Sequence, residues 1–188
     1  MDLILALTAL AMLLPLLLGI AAAIRLDSPG PVFFRQRRAG RHGRIFGIFK
    51  FRSMHVLEDG AHVVQACAGD ARITRIGRFL RRSSLDELPQ LLNVIAGDMS
   101  LVGPRPHALA HDDYYASRIA SYRLRQLVRP GITGWAQVNG ARGATPELSD
   151  MQARIDFDIA YVARQSLWLD LVILLRTPVE VLRRRNAV

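Results

Sequence analysis

A chain of 188 residues, 51% of them hydrophobic, can bury one modest core, and its single cysteine, Cys67, excludes an internally disulfide-stapled secreted fold. A formal net charge of +9 calls for an anionic partner, whether nucleic acid, a phospholipid surface or a phosphorylated substrate. The 25 Lys and Arg residues include one lysine, Lys50, whose compact ammonium suits a single phosphate oxygen where arginine offers a rigid fork.

Leu3 to Ile24 carries no charge and as a helix would reach roughly 33 Å, enough for a bilayer core. No Lys or Arg precedes this run, and it is too long for an ordinary signal-peptide core, so it reads as a retained membrane element. Pro15 near its middle removes a backbone hydrogen bond and predicts a kink. Arg25, Arg35, Arg37, Arg38, Arg41 and Arg44 follow, which makes the C-terminal side cytoplasmic. Physics alone favours a simple span here, with a helix broken at Pro15 as the alternative.

Asp27-Ser28-Pro29-Gly30-Pro31 is a turn cluster, Val32 to Phe34 a short strand, Gly40 to Arg44 a second turn and Ile45 to Arg52 a second strand. Glu58 to Asp70 has little pattern and is expected as a loop. Ile73, Ile76, Phe79 and Leu80 then mark the apolar face of a helix. Its other face carries Arg72, Arg75, Arg78 and Arg82, suited to anionic headgroups or simply to water.

Two adjacent carboxylates, Asp86 and Glu87, stand where a helix begins. Ser84 and Glu87 have capping-box spacing, and Pro89 is tolerated only near a helix start. Free N–H groups and the helix dipole there would favour an ionised Asp86 and a docked phosphate or metal-phosphate. Neighbouring helical positions do not face each other, so the pair does not suit glycosidase chemistry; a nucleophile or metal ligand with a supporting neighbour fits better. The helix should stop near Gly97. Arg105, between Pro104 and Pro106, is a guanidinium held in a stiff loop. His107 and His111, followed by Asp112 and Asp113, lack a third well-spaced metal ligand. A long helix is expected over Ala108 to Val128 and a short strand within Arg129 to Gly140. Another helix should start at Thr145-Pro146-Glu147, as N-cap and first two positions, and run to about Arg164. Leu167 to Leu182 is apolar but interrupted by Asp170, Arg176 and Glu180, which suits a helix lying in the membrane interface with Trp168 as anchor.

Five blocks in order resemble one family, the bacterial sugar transferases or monotopic phosphoglycosyl transferases. They are Asp27 to Gln36, Lys50-Phe51-Arg52-Ser53-Met54, Ser84 to Gln90, Gly97 to Pro106 and Arg129 to Val138. The resemblance implies a mainly helical α+β fold in a single membrane-associated domain. Residues 1–26 would form a re-entrant helix broken at Pro15, which replaces the simple span. Residues 27–188 would form a catalytic domain on the cytoplasmic face of the bacterial inner membrane, with short strands and amphipathic interfacial helices, the last one C-terminal. It further implies transfer of a sugar-1-phosphate from a UDP-sugar to undecaprenyl phosphate, with release of UMP, at the start of exopolysaccharide, O-antigen or other glycan assembly.

By the same resemblance Asp86 is the nucleophile that forms a phosphosugar-aspartyl intermediate and a ligand of Mg²⁺, and Glu87 completes the dyad. Lys50, Arg81, Arg105 and Arg142 supply positive charge, Arg52 belongs to the substrate-binding set, and Asp158 orients the site. The physical reading agrees: a carboxylate attacks a diphosphate only when metal and fixed cations neutralise its oxygens. Three positions depart from the pattern: no basic residue precedes Leu3, Leu14 rather than a hydroxyl residue precedes Pro15, and Ala141 replaces an aromatic next to Arg142. The expectation is a catalytic unit alone, with membrane phospholipids as further partners, no nucleic acid, and a homo-oligomer left open. The competing class is a non-catalytic basic membrane module that binds anionic lipid or nucleic acid.

Overall fold

The computed structural model describes residues 1–55, 69–143 and 145–183. Most of the loop expected between Glu58 and Asp70, with Cys67, lies outside the described residues. The first element, α1 (Asp2–Asp27), is one helix with Pro15 inside it and an 18-residue window of mean hydropathy 2.7, long and apolar enough to cross a membrane. It nevertheless presents a stripe to the rest of the protein along its whole length. Ala6, Ala9 and Leu13 pack into a cluster with Phe46, Ile48, Leu91, Val94 and Met99. Leu17, Ile20, Ala21 and Ile24 join Phe51, Ile76 and Leu80 in a second. The spacing of three or four residues is that of one helical face. At the N-terminal end the Ser100 hydroxyl donates to Asp2 Oδ2 at 2.7 Å. Ile4, Met12, Leu14 and Leu18 point outward and are exposed.

Strands β1 (Phe33–Ala39), longer than expected, and β2 (Ile45–Phe51) form an antiparallel hairpin across the turn expected at Gly40 to Arg44, with Phe34 opposite Lys50. The period-two alternation of β2 buries Phe46 and Ile48 and sets Lys50 next on that face. Helix α2 (Arg75–Ser83) is N-capped by Thr74, whose hydroxyl accepts from Gly77 N at 2.8 Å. Leu80 is buried under it, but Phe79, expected on the apolar face, is exposed. Gly77 lies against the Ser53 carbonyl so closely that a Cβ would sit 2.0 Å from it. A 3₁₀ segment, Leu85–Gln90, leads into α3 (Leu91–Ile95), and the chain leaves at Gly97 with φ of 82°, where a stop was expected.

The short strand expected within Arg129 to Gly140 forms as β4 (Gly131–Thr133) and pairs in parallel with β3 (Ser100–Val102), a strand not expected ahead of the stiff Arg105 loop. The long helix expected over Ala108 to Val128 is broken into α4 (Leu109–Ala116) and a 3₁₀ segment, Tyr122–Leu127. The break turns Ile119 and Tyr122 into a core cluster with Met151 and Ile155. After the short α5 (Trp135–Val138) comes α6 (Leu148–Arg164), which begins later than expected. Its N-cap is Glu147, reciprocally bonded with Asp150, while Thr145 is buried beside Tyr115. Helix α7 (Leu167–Arg183) packs Ile173 against Tyr161 and leaves Trp168, Leu171, Leu175 and Val179 exposed on its other side. Asp170, read as an interruption, accepts from the buried Tyr161 hydroxyl at 2.7 Å.

Candidate active site

Asp86 and Glu87 sit in the 3₁₀ segment after α2, entered through Ser84, a non-glycine residue in the left-handed region at φ of 58°. The capping box expected of Ser84 and Glu87 does not form. The Ser84 hydroxyl accepts from Arg142 Nη2, and the Glu87 carboxylate turns away from the backbone to meet two cations. Charge-assisted bonds to two partners outweigh one bond to a backbone N–H.

Lys50 Nζ donates to Glu87 Oε1 at 2.7 Å, and Arg105 grips the same carboxylate with both terminal nitrogens, one of them on Oε2 at 2.8 Å. Three segments far apart in sequence therefore converge on Glu87. Asn93 fixes one of the junctions. Its side chain donates to Gly47 O at 2.8 Å and accepts from Phe49 N at 2.9 Å, occupying the edge of β2 in place of another strand. That sets the register between the Lys50 strand and the segment carrying Asp86. Gly103 fixes another: a Cβ there would lie 2.4 Å from the Arg129 carbonyl, so only glycine lets the Arg105 loop run this close to the start of β4. Arg38 Nη1, from β1, donates to Pro106 O at 3.2 Å and holds the far side of that loop.

The two carboxylates differ sharply. Although burial pushes Glu87 upward, Arg105 and Lys50 hold it well below the usual carboxylate range. Asp86 is 6% exposed and has no hydrogen-bond or ion-pair partner among the described residues. Burial pushes it up to about 6, against the pull of Lys50 and with Glu87 adding to the rise. Burial thus outweighs the helix-end effect expected to favour its charge. At neutral pH Asp86 is a deprotonated, uncommitted carboxylate. Burial lowers Lys50 below the ordinary lysine value, against Glu87, and Glu87 raises Arg105 above the ordinary arginine value.

Of the remaining predicted residues, Arg81 is near enough to favour the charged form of Asp86, and its Nη1 donates to Met54 Sδ at 3.8 Å. Arg142 reaches Ser84, and its loop is held by the buried Arg154, which donates to Ala141 O at 3.1 Å and Gly143 O at 2.8 Å. Arg52 is not brought to the cluster. It is buried and donates to Ser28 O at 2.7 Å, Ser28 Oγ at 3.0 Å and Pro29 O, pinning the turn after α1. Asp158 lies behind the site, paired with Arg125, whose Nε donates to Asp158 Oδ2 at 2.9 Å. Arg125 is the residue that sequence reasoning missed; nothing local marks it among so many arginines. His107 and Asp112 belong to the same rear cluster, both touching the Tyr122 hydroxyl at 2.6 Å, and His111 joins no metal-ligand group among the described residues. Burial, with Arg125 beside it, keeps His107 well below the usual imidazole range and hence neutral.

Among the described residues no three His, Cys, Asp or Glu side chains gather into a self-contained metal cage. Magnesium does not need one, since it keeps waters and is held by one or two carboxylates together with substrate phosphates. The buried, unpartnered carboxylate of Asp86 fits that role, and Glu87, saturated by two cations, does not.

The model of the bacterial sugar transferases matches residues 1–184. The chain belongs to that family. It is similar to UDP-glucose:undecaprenyl-phosphate glucose-1-phosphate transferases from several bacteria. The one from Xanthomonas campestris pv. campestris is 58% identical over 99% of this chain and 39% of its own length. That from Caulobacter vibrioides is 56% identical over 100% of this chain and 70% of its own length. That from Escherichia coli is 51% identical over 94% of this chain and 38% of its own length. The chain therefore spans well under half of two of these three relatives, in this family whose named members are transferases and phosphotransferases.

Proposed function

We propose that this chain transfers glucose-1-phosphate, or a closely related sugar-1-phosphate, from a UDP-sugar to undecaprenyl phosphate and releases UMP. The glucose preference rests on the relatives just named, and a UDP-N-acetylgalactosamine-undecaprenyl-phosphate N-acetylgalactosaminephosphotransferase from Aeromonas hydrophila, 44% identical, marks the neighbouring donor class. The observation that carries the mechanism is the contrast within the dyad: Asp86 is buried and free, while Glu87 is saturated.

In this reading an Asp86 oxygen attacks the phosphorus bonded to the sugar, the bond from that phosphorus to the bridging oxygen breaks, and UMP departs. An oxygen of undecaprenyl phosphate then attacks the same phosphorus and returns Asp86 to a carboxylate. Mg²⁺, when bound with the diphosphate, supplies neutralising charge. Glu87 orients Lys50 and Arg105, while Arg81 and Arg142, which pair with no carboxylate among the described residues, have their charge available to phosphate oxygens. Such fixed cations stabilise the charge of the transferring phosphoryl group without reorganising.

The apolar exposed flank of α1 and the exposed stripe Trp168, Leu171, Leu175 and Val179 of α7 support seating in the cytoplasmic membrane, with Trp168 at the interface. The stripe of α1 that faces the body from Ala6 to Ile24 supports both helix ends lying on the side of the catalytic domain, the cytoplasmic one. The test is UMP release from UDP-glucose and undecaprenyl phosphate in nanodiscs. Asp86→Asn should abolish it, and enzyme given donor alone should gain the mass of one hexose phosphate on Asp86. A protein that binds anionic vesicles yet forms no UMP from any UDP-sugar would instead be the non-catalytic basic module.

A further inference from the structure

Behind the Lys50–Glu87–Arg105 cluster lies a second, fully buried polar group centred on Arg125, which is 4% exposed. Every nitrogen of its guanidinium is used. Nε donates to Asp158 Oδ2 at 2.9 Å, Nη1 to His107 Nδ1 at 2.8 Å, and Nη2 both pairs with Asp158 Oδ2 at 2.8 Å and donates to the carbonyl oxygen of Arg105 at 2.5 Å. An arginine can only donate, so His107 Nδ1 must accept and the ring proton sits on Nε2. The Arg105 carbonyl belongs to the residue whose side chain clamps Glu87, inside a loop stiffened by Pro104 and Pro106.

We infer that Arg125 is a positioning residue: through the main chain of Arg105 it sets where the Arg105 guanidinium meets Glu87. Four features carry this. The bond to Arg105 is made by a side chain with three fixed donor directions, so the carbonyl is held in direction as well as distance. Asp158 neutralises Arg125 and anchors it to α6, a helix held by its own core contacts with Tyr122 and Ile119. Arg38, Gly103 and the Gly131 N–H, which donates to the Pro104 carbonyl at 3.0 Å, hold the loop on either side, and Arg125 is the side chain that holds the Arg105 carbonyl between them. Arg125 itself touches neither Asp86 nor Glu87, so any influence on them passes through Arg105.

A lysine at this position can keep the ion pair with Asp158 but cannot also hold His107 and the Arg105 carbonyl in fixed directions. The decisive experiment is a double-mutant cycle in nanodiscs with Arg125→Lys, Arg105→Ala and the pair. The turnover arm rests on the function proposed above. There Arg105→Ala should lower UMP release by about 100-fold, as removal of one charge-stabilising donor does. Arg125→Lys should lower kcat by about 10-fold with the donor KM unchanged, a loss of transition-state positioning rather than binding. The double variant should match Arg105→Ala alone. Losses that multiply, or full activity in folded Arg125→Lys, would overturn the inference, because a purely structural residue acts independently of Arg105.

A second arm needs no catalysis. Thermal melts of Arg125→Lys, Glu87→Gln and the double variant should be non-additive, although residues 125 and 87 do not touch. Additive shifts count against the inference. If Arg105→Ala leaves turnover intact while the melts couple, the site assignment fails and the positioning survives. Should Arg125→Lys not fold, Asp158→Asn takes its place in both cycles, with the same pattern and a smaller loss of about 3-fold.

Discussion

The front and rear polar clusters use the same residue types to opposite ends. At the rear, Arg125 spends its donors on Asp158, His107, the Tyr122 hydroxyl and the Arg105 carbonyl, and Tyr122 donates to Asp112. At the front, among the described residues, Asp86 has no hydrogen-bond or ion-pair partner, the buried Nε of Arg81 has none, and Arg142 holds a hydroxyl. A buried charge without a partner costs stability, and proteins keep such groups where chemistry requires them. The rear cluster keeps its central cation paired, although His107 Nε2 and Asp112 Oδ2 are buried there without a hydrogen-bond partner among the described residues, whereas the front one leaves its central carboxylate unpaired and open to a substrate.

Breaking that contrast at Glu87 should have the largest effect. Glu87→Gln leaves the half-buried Lys50 and Arg105 without their shared anion, and should lose about 3 kcal/mol of folding stability together with activity, measured by thermal melts and UMP release. Asn93→Ala, which strips two buried backbone partners of the hairpin, should cost about 2–3 kcal/mol and lower turnover with it. Asp86→Asn should act in the opposite sense on stability. The folded carboxyl titrates near 6 against an ordinary value of 3.8. Its contribution is therefore fully present below about 3.8 and is lost as pH rises through about 6, so at pH 7.5 burying the charge destabilises the fold. The neutral amide should raise stability by about 2 kcal/mol while ending catalysis, a melt that moves up as activity vanishes. The same titration should appear in the wild type as an acid limb of kcat/KM, falling about tenfold per pH unit below about 6. The smallest effect belongs to Ser84→Ala, which frees Arg142: about a two- to fivefold rise in donor KM, with the melt shifted by under about 1 kcal/mol.

Local pattern made the hairpin legible, because the Gly40 to Arg44 turn and the alternation of Phe46, Ile48 and Lys50 need no distant partner. The length of α1 and the stop at Gly97 were legible for the same reason. What local pattern could not supply was competition. Ser84 and Glu87 have the spacing of a capping box, but Lys50 and Arg105 arrive from other segments and claim the glutamate. Arg52 shares the parity of Lys50 and would face the same way if β2 continued; the strand ends at Phe51, and the arginine turns to Ser28 instead. The break between Ala116 and Tyr122 answers to Met151 and Ile155, residues no helical periodicity there could announce. Arg125 was invisible because its partners lie 33, 20 and 18 positions away.

The stripe by which α1 touches the body has a practical corollary. Ala6, Ala9 and Leu13 help close one interior and Leu17, Ile20 and Ile24 another, so the helix is a shared wall of both. Amputating it to obtain a detergent-free fragment would uncover Phe46, Ile48 and Phe51, on the very strand that carries Lys50, together with Leu80 of α2. Such a trimmed protein should aggregate rather than stay in solution, and refolding it should demand the missing helix added back as a peptide.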